Sequence, residues 1–353
     1  MDAASDPLMW QATPLPRGLV PGAMADHFGS PAREAAACRT SAALFDYSFL
    51  IRLVVRGPDA VAGVSRFCAR DFSDLKIGDI RYALHADAEG MLLSDLTVWR
   101  TGTDELEVMS GRTEDPPTLH RLFTGKNAHV ADLSSETACF AVQGPATDGI
   151  LAELPGGEAF SDIPYFKFRQ LRLNGVPCCI GRLGFTGLPG VEILCPLQRA
   201  AELWRALARL APPAGLIAAD RIRLEAGLPL FTQDFRPPVT AAEAGLARVR
   251  PLSANPNHPA LLRVVRVTFR ARLHNPKADK VDVDGIIWND GDPFPPLPGT
   301  VAVTSVARDP DGESVIGMGY INRSDYAQAV RDAKGILGPV EITRHIDGGG
   351  RRP

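Results

Sequence analysis

RLVVRGPDAVAGVSRF at Arg52–Phe67 and ACFAVQGPATDGILAEL at Ala138–Leu154 share one grammar: an apolar strand, a Gly-Pro break, then the opening turns of a helix. In the first copy, apolar and charged side chains alternate at the start of the run Ile51–Val54, which reads as a strand. Gly57-Pro58-Asp59 ends it, and Asp59-Ala60-Val61-Ala62 opens a helix expected to run to about Ala69. The unit appears twice and no more, which predicts two related halves rather than a solenoid.

Working outward, REAAACRTSAA suits a helix over Ala32–Ala43, and LFDYSF leads from it into the first strand. MLLSDLTVWR and LEVMSG supply further strands between the halves. In FRQLRLNGVPCCIGRL, Asn174-Gly175 is a two-residue hairpin signal, because both positions of that turn need positive φ. GVEILCP is another strand, and LQRAAELWRALARL from Leu197 has the spacing of an amphipathic helix. After Arg250 the composition shifts. PLSANPNHPA reads as a connector, and LRVVRVTFRARL, DGIIW, GTVAVTSVA and SVIGMGYI read as short strands punctuated by Gly, Pro and Asp. That pattern predicts a small all-β barrel of about 90 residues. The Pro-rich opening and the tail GGGRRP are expected to be irregular.

The chain has 353 residues, enough for two or three domains at roughly 150 residues each. Its 38 Lys+Arg against 41 Asp+Glu leave no basic footprint for nucleic acid. The six cysteines form no C-x-x-C pair and read as small buried hydrophobes. MDAASDPLMWQATP lacks the pattern of a signal peptide, and no run of about 18 apolar residues is present, so a soluble, cytoplasmic protein without a membrane partner is expected. There is no G-x-G-x-x-G after an early strand, Walker loop, G-x-S-x-G or H-E-x-x-H, and the seven histidines stand apart. Nucleotide, flavin, serine-hydrolase and zinc chemistries are therefore disfavoured.

Four acidic or basic positions draw attention. Asp95 is a single carboxylate inside the apolar run MLLSDLTVW, where it needs a partner or a task; the bland reading is a turn or strand-end Asp binding backbone N–H groups. Glu192 sits in GVEILCP with Val191, Ile193 and Cys195 facing the other way, which on alternation alone makes it solvent-facing. Arg223 and Glu225 in ADRIRLEAGLPL suit an exposed helix face.

The order of these segments adds what no single one carries. LFDYSF, VRGPDA, Tyr82 thirteen residues ahead of Asp95, LEVMSG, AVQGPA, RLGFTGLPGVEI, RIRLEAGLPL and TAAEAGL follow one another from about Pro31 to Leu246. The set resembles the glycine-cleavage T-protein (aminomethyltransferase) family of tetrahydrofolate-binding enzymes, and GTVAVTSVARDPDGESVIGMGYI is similar, more weakly, to that family's C-terminal barrel. The resemblance implies an α+β fold: a three-domain ring around a central folate site, with a folate-binding region over 1–250 (two interleaved α+β domains) and a C-terminal β-barrel over 251–353. It implies tetrahydrofolate as one-carbon acceptor, Asp95 as the catalytic carboxylate, Glu192 as the pterin-binding acid, Arg223 at the ligand site, and Tyr82 and Phe185 as aromatic flanks.

The chain also departs from the family. Ser94 replaces an acid before Asp95, Gly111 replaces an asparagine, and Thr186-Gly187-Leu188-Pro189-Gly190 loses the two carboxylates of T-G-E-D-G. VPGAMADHFGS stands where F-A-G-W is expected. These changes spare the folate end and alter the donor end. They favour a tetrahydrofolate-dependent demethylase of a small N-, O- or S-methyl compound over the authentic aminomethyltransferase, with a separate oxidase or carrier protein as a partner. A non-enzymatic iron–sulfur-assembly relative is disfavoured because its K-G-C-Y-x-G-Q stretch is absent. A repurposed scaffold stays open.

Overall fold

The computed structural model describes residues 24–249, 262–272, 287–309, 313–326, 336–337 and 340–345. The Pro-rich opening, the connector PLSANPNHPA, most of DGIIW and the tail lie outside them. The described residues form two compact units, one reaching to Ala83 and resuming over Asp95–Ala219, the other made of Leu84–Ser94 and the chain from Asp220 onward.

Through the first half the chain runs α1 (Pro31–Thr40), β1 (Ala43–Asp46), β2 (Ile51–Arg56), α2 (Ala60–Cys68), β3 (Ile80–Ala86), β4 (Leu92–Gly102), β5 (Glu105–Ser110), α3 (Asp115–Leu122) and β6 (His129–Asp132). It continues with β7 (Thr137–Gln143), α4 (Thr147–Ala152), β8 (Phe168–Leu173), β9 (Val176–Gly181), β10 (Gly190–Pro196), α5 (Leu197–Ala208), α6 (Leu216–Ala226) and α7 (Phe231–Asp234). A first sheet has the order β1-β7-β10-β9-β8 and a second the order β3-β4-β5-β2-β6.

The repeated Gly-Pro break has a steric cause. Gly57 after β2 and Gly144 after β7 have φ 133° and 143°, and a Cβ on either would come within 2.4 Å of a carbonyl oxygen, that of Asn127 or Ser41. No L side chain fits such a position. The Asn174-Gly175 hairpin forms as expected, with φ 50° and 77° joining Leu173 to its partner Val176. The first helix stops earlier than its composition suggests. It ends at Thr40, and Ala43–Asp46 instead pairs with Phe140–Gln143 as β1.

Each sheet buries one face under helices. Phe140, Val142, Ile180, Val191 and Ile193 pack with Ile150 and Leu151 of α4 and with Leu203, Trp204 and Leu207 of α5. Leu53, Val55, Leu96, Val98 and Val108 pack with Val64 and Phe67 of α2 and Leu119 of α3. The remaining faces meet each other. Trp99 of β4 lies 5.2 Å, ring to ring, from Phe168 of β8. A Cβ on Gly181 of β9 would come within 2.3 Å of that indole. Arg52 of β2 donates to Thr137 Oγ1 of β7 at 3.0 Å. The first unit therefore has four layers: helices, sheet, sheet, helices.

The second unit is built on β11 (Val264–Arg272), β12 (Val301–Arg308), β13 (Ser314–Asn322), β14 (Ile336–Leu337) and β15 (Val340–His345), in the order β12-β13-β11-β15-β14. The closed barrel expected above is not seen among these strands. Among the described residues the end strands β12 and β14 do not pair, and the sheet is open. Val267, Phe269, Val301, Val303, Val315 and Ile321 form its core. The segment Leu84–Ser94 joins this unit through a backbone bond from Leu92 to Val239 at 2.8 Å.

Candidate active site

Residues paired across adjacent strands share a face. Register puts Phe45, Ala141, Glu192, Gly181 and Phe168 in one row across β1, β7, β10, β9 and β8. The row faces the second sheet, since Gly181 and Phe168 both touch Trp99. Glu192 stands at its middle with only Ala141 and a glycine beside it.

The strand GVEILCP alternates as its sequence suggests, but its outer side is not solvent. Val191, Ile193 and Cys195 do enter the first core. Glu192 points into the layer between the sheets and is only 7% exposed. It accepts no hydrogen bond from the described residues, and burial alone pushes its carboxyl up to about 7. A buried carboxylate without a donor is costly to keep, which marks it as held for something else.

Tyr47 lies two residues beyond Phe45, with the two rings stacked at 5.8 Å. Its N–H bonds Cys139 O at 2.8 Å, so the chain continues beside β7. The side chain is buried and its hydroxyl has no partner among the described residues. Burial, and then the charge of Glu192, push its pKa well up.

Asp95 lies near the start of β4. Leu96 and Val98 enter the helix-covered core, so Asp95, Thr97 and Trp99 take the opposite face, the one turned to the first sheet. Asp95 Oδ2 accepts from Tyr82 Oη at 2.9 Å across the β3–β4 pair. One partner of Asp95 is thus a phenol on the neighbouring strand, which differs from the turn or strand-end reading. Asp95 and Glu192 therefore occupy facing sides of two stacked sheets.

The sequence profile of the GCVT N-terminal domain matches residues 14–253. The chain belongs to this family. An aminomethyltransferase of Bacillus cereus (strain AH187) is 35% identical over 228 residues, covering 62% of this chain and 62% of that protein. One of Bacillus mycoides (strain KBAB4) matches to the same extent. The match thus spans under two thirds of these curated relatives. The fold is similar to that of the glycine cleavage system aminomethyltransferase T from Bartonella henselae, with TM-score 0.71, 23% identity and coverage of 97% and 96% of the two chains.

Within this GCVT-family chain, Phe185 sits half-buried on the loop between β9 and β10. One side chain that the sequence did not flag, Gln143, ties that loop down. Its Nε2 donates to Leu183 O and to Val191 O, each at 3.2 Å, and its Oε1 accepts from Thr186 Oγ1 at 2.9 Å. Gly184 and Gly190 make room for the amide: a Cβ on either would come within 2.4 Å of it. Two glycines bracketing Phe185 were the available signal, and only the fold supplies the glutamine they enclose.

Arg223 is not on an exposed helix face; it is fully buried. Nε donates to Asp220, Nη1 to Leu228 O and Asp234, and Nη2 to Gln233 and Ser305. A guanidinium has five N–H donors, and these five bonds use them all. The ligand contact that the resemblance implies for Arg223 finds no free donor here. Among the described residues no group of three or more His, Cys, Asp or Glu could hold a metal. No described helix is long and apolar enough to cross a membrane.

Proposed function

We propose that this protein is a tetrahydrofolate-dependent one-carbon transferase, with the pterin held by Glu192 and the transferred carbon brought to Asp95. One observation carries the reading: a buried carboxylate with no donor among the described residues, between two small residues, in the layer between two sheets. The 2-amino and N3 groups of a reduced pterin are two parallel N–H donors, and a carboxylate accepts such a pair as it accepts a guanidinium. In this reading Tyr82 orients Asp95, Phe185 offers a flat face, and Arg223 braces the framework. The ring of three domains around a central folate belongs to the same proposal.

Bound tetrahydrofolate supplies a nitrogen nucleophile that accepts the one-carbon unit. The protein's own part is charge and position. An ionised Asp95 stabilises positive charge developing on the migrating carbon or takes up a proton. Opposed sheets hold the reacting groups in register.

The names of the curated relatives favour an aminomethyl donor. A second reading, a demethylase of a small methyl compound, rests on Ser94, Gly111 and Leu188-Pro189, where family polar groups are missing. The donor in either reading is supplied free, by a carrier protein, or by a separate oxidase. Fluorescence titration with tetrahydrofolate tests the acceptor. Incubation with aminomethyl or methyl donors, scored for 5,10-methylene- against 5-methyl-tetrahydrofolate, separates the donors. Absence of tetrahydrofolate binding to the full chain would end the proposal.

A further inference from the structure

Tyr47 contributes a buried polar atom that no described residue partners. Its ring is fixed on two sides, stacked on Phe45 at 5.8 Å and edge-on to Phe49 at 5.9 Å. The residue is 4% exposed and the hydroxyl has no partner among the described residues. An O–H buried without a partner costs free energy that a phenylalanine in the same place avoids. Tyr47 follows Phe45 by two residues and stacks on it, so it lies on the face that carries Glu192. Between Phe45 and Glu192 in that row stands only Ala141. The Glu192 charge is felt at the phenol, which sets the two groups in one electrostatic neighbourhood.

The chemistry of the two groups is complementary. Glu192 is an acceptor seeking donors, and the phenol is a donor seeking an acceptor. A 2-amino-4-oxo pterin presents both on one edge: N–H groups at the 2-amino and N3 positions, and the oxo oxygen beside them. We infer that Tyr47 is a second ligand-binding residue, its hydroxyl donating to the 4-oxo oxygen of the heterocycle whose N–H pair Glu192 accepts. This rests on the tetrahydrofolate reading above and deepens it. It gives the site a donor-donor-acceptor preference that a carboxylate alone does not impose.

The test compares wild type, Tyr47→Phe and Glu192→Gln, each as the full chain, by tetrahydrofolate titration and by melting without ligand. Tyr47→Phe is expected to bind about tenfold more weakly, the worth of one buried neutral hydrogen bond. Without ligand it should melt at the same temperature or higher, because an unsatisfied hydroxyl has gone. A merely structural hydroxyl predicts the reverse, a lower melting temperature with or without folate. Unchanged affinity in Tyr47→Phe, or a ligand-free variant that melts several degrees lower or does not fold, overturns the assignment. If wild type binds, Glu192→Gln weakens binding and Tyr47→Phe does not, the hydroxyl assignment alone falls. If wild type itself does not bind, both readings fall.

Discussion

Glu192 and Arg223 are both buried charges carried in by short, ordinary-looking segments, and their surroundings are opposite. Arg223 has every donor engaged, and its partner Asp234 accepts at 2.6 Å from the guanidinium while also taking Leu230 N and Ser305 Oγ. Both side chains of that pair are fully buried. Glu192 has no donor at all among the described residues. A saturated network holds a framework together; an unsatisfied group costs stability and so needs another reason to be there. Burial alone does not separate structure from function, but the bookkeeping of donors and acceptors does.

The largest expected effect is at the saturated end. Arg223→Ala leaves Asp220 and Asp234 without their cation inside the second unit, and losing one partner of a buried pair costs about 3–5 kcal/mol. Urea unfolding should show that loss, while tetrahydrofolate affinity at low denaturant stays near wild type. A variant that kept its stability and lost folate binding would reverse the contrast and return Arg223 to the ligand.

Next comes Asp95→Ala. If Asp95 acts on charge that develops only during transfer, turnover should fall by about 10²-fold or more with tetrahydrofolate affinity largely kept. Steady-state rates beside a binding titration decide this. Equal losses of rate and affinity would make Asp95 a binding group like Glu192.

How much of this was readable in advance follows the same physics. Local grammar was legible. The Gly-Pro breaks, the Asn174-Gly175 turn, GVEILCP as a strand and LQRAAELWRALA as a helix depend on backbone sterics and periodicity within a few residues. Long-range stacking was not legible. Alternation said that Glu192 and Ile193 point opposite ways, but nothing near Glu192 announces a second sheet on the polar side. Ala141 and Phe45 become its row-mates only through pairings between strands 51 and 96 residues apart in sequence, Glu192 with Ala141 and Ala141 with Phe45. The saturation of Arg223 likewise depends on Ser305, on a distant strand. The resemblance singled out Asp95, Glu192, Tyr82 and Phe185; Tyr47 and Gln143 have no local signature.

A smaller effect, of opposite sign to the first, sharpens the contrast. Burial raises the Glu192 carboxyl from 4.5 to about 7. Between those values the folded state holds a proton that the unfolded state has released, so stability falls as pH rises through the window and stays reduced above it. Glu192→Gln removes the penalty. It should match wild type near pH 4.5, gain progressively to pH 7, and be more stable by about 1–3 kcal/mol at pH 8. The same variant should bind tetrahydrofolate at least tenfold more weakly, because an amide presents a donor where the pterin also donates. Unfolding curves at pH 5 and pH 8 decide the first half. A Glu192→Gln protein less stable than wild type at pH 8 would mean that the carboxylate is satisfied within the fold.

The smallest effect concerns the link between the two kinds of site. Tyr82 Oη and Asp95 Oδ2 form a bond within the protein, yet Asp95 is only half-buried and lies on the inter-sheet face. Its exposure sets it apart from both Arg223 and Glu192, which are buried. A phenol donating to one oxygen helps to fix the plane of the carboxylate and so the direction of its charge. Tyr82→Phe removes the hydroxyl and keeps the ring, so any stacking against folate survives. Turnover should fall by up to about tenfold, one hydrogen bond's worth, with the KM for tetrahydrofolate within about twofold of wild type. In Asp95→Ala the same substitution should cost nothing further, because the two residues act as one group. If Tyr82→Phe raises KM and leaves kcat alone, the tyrosine serves the ligand's face rather than the carboxylate, and Asp95 then depends on partners other than this phenol for its orientation.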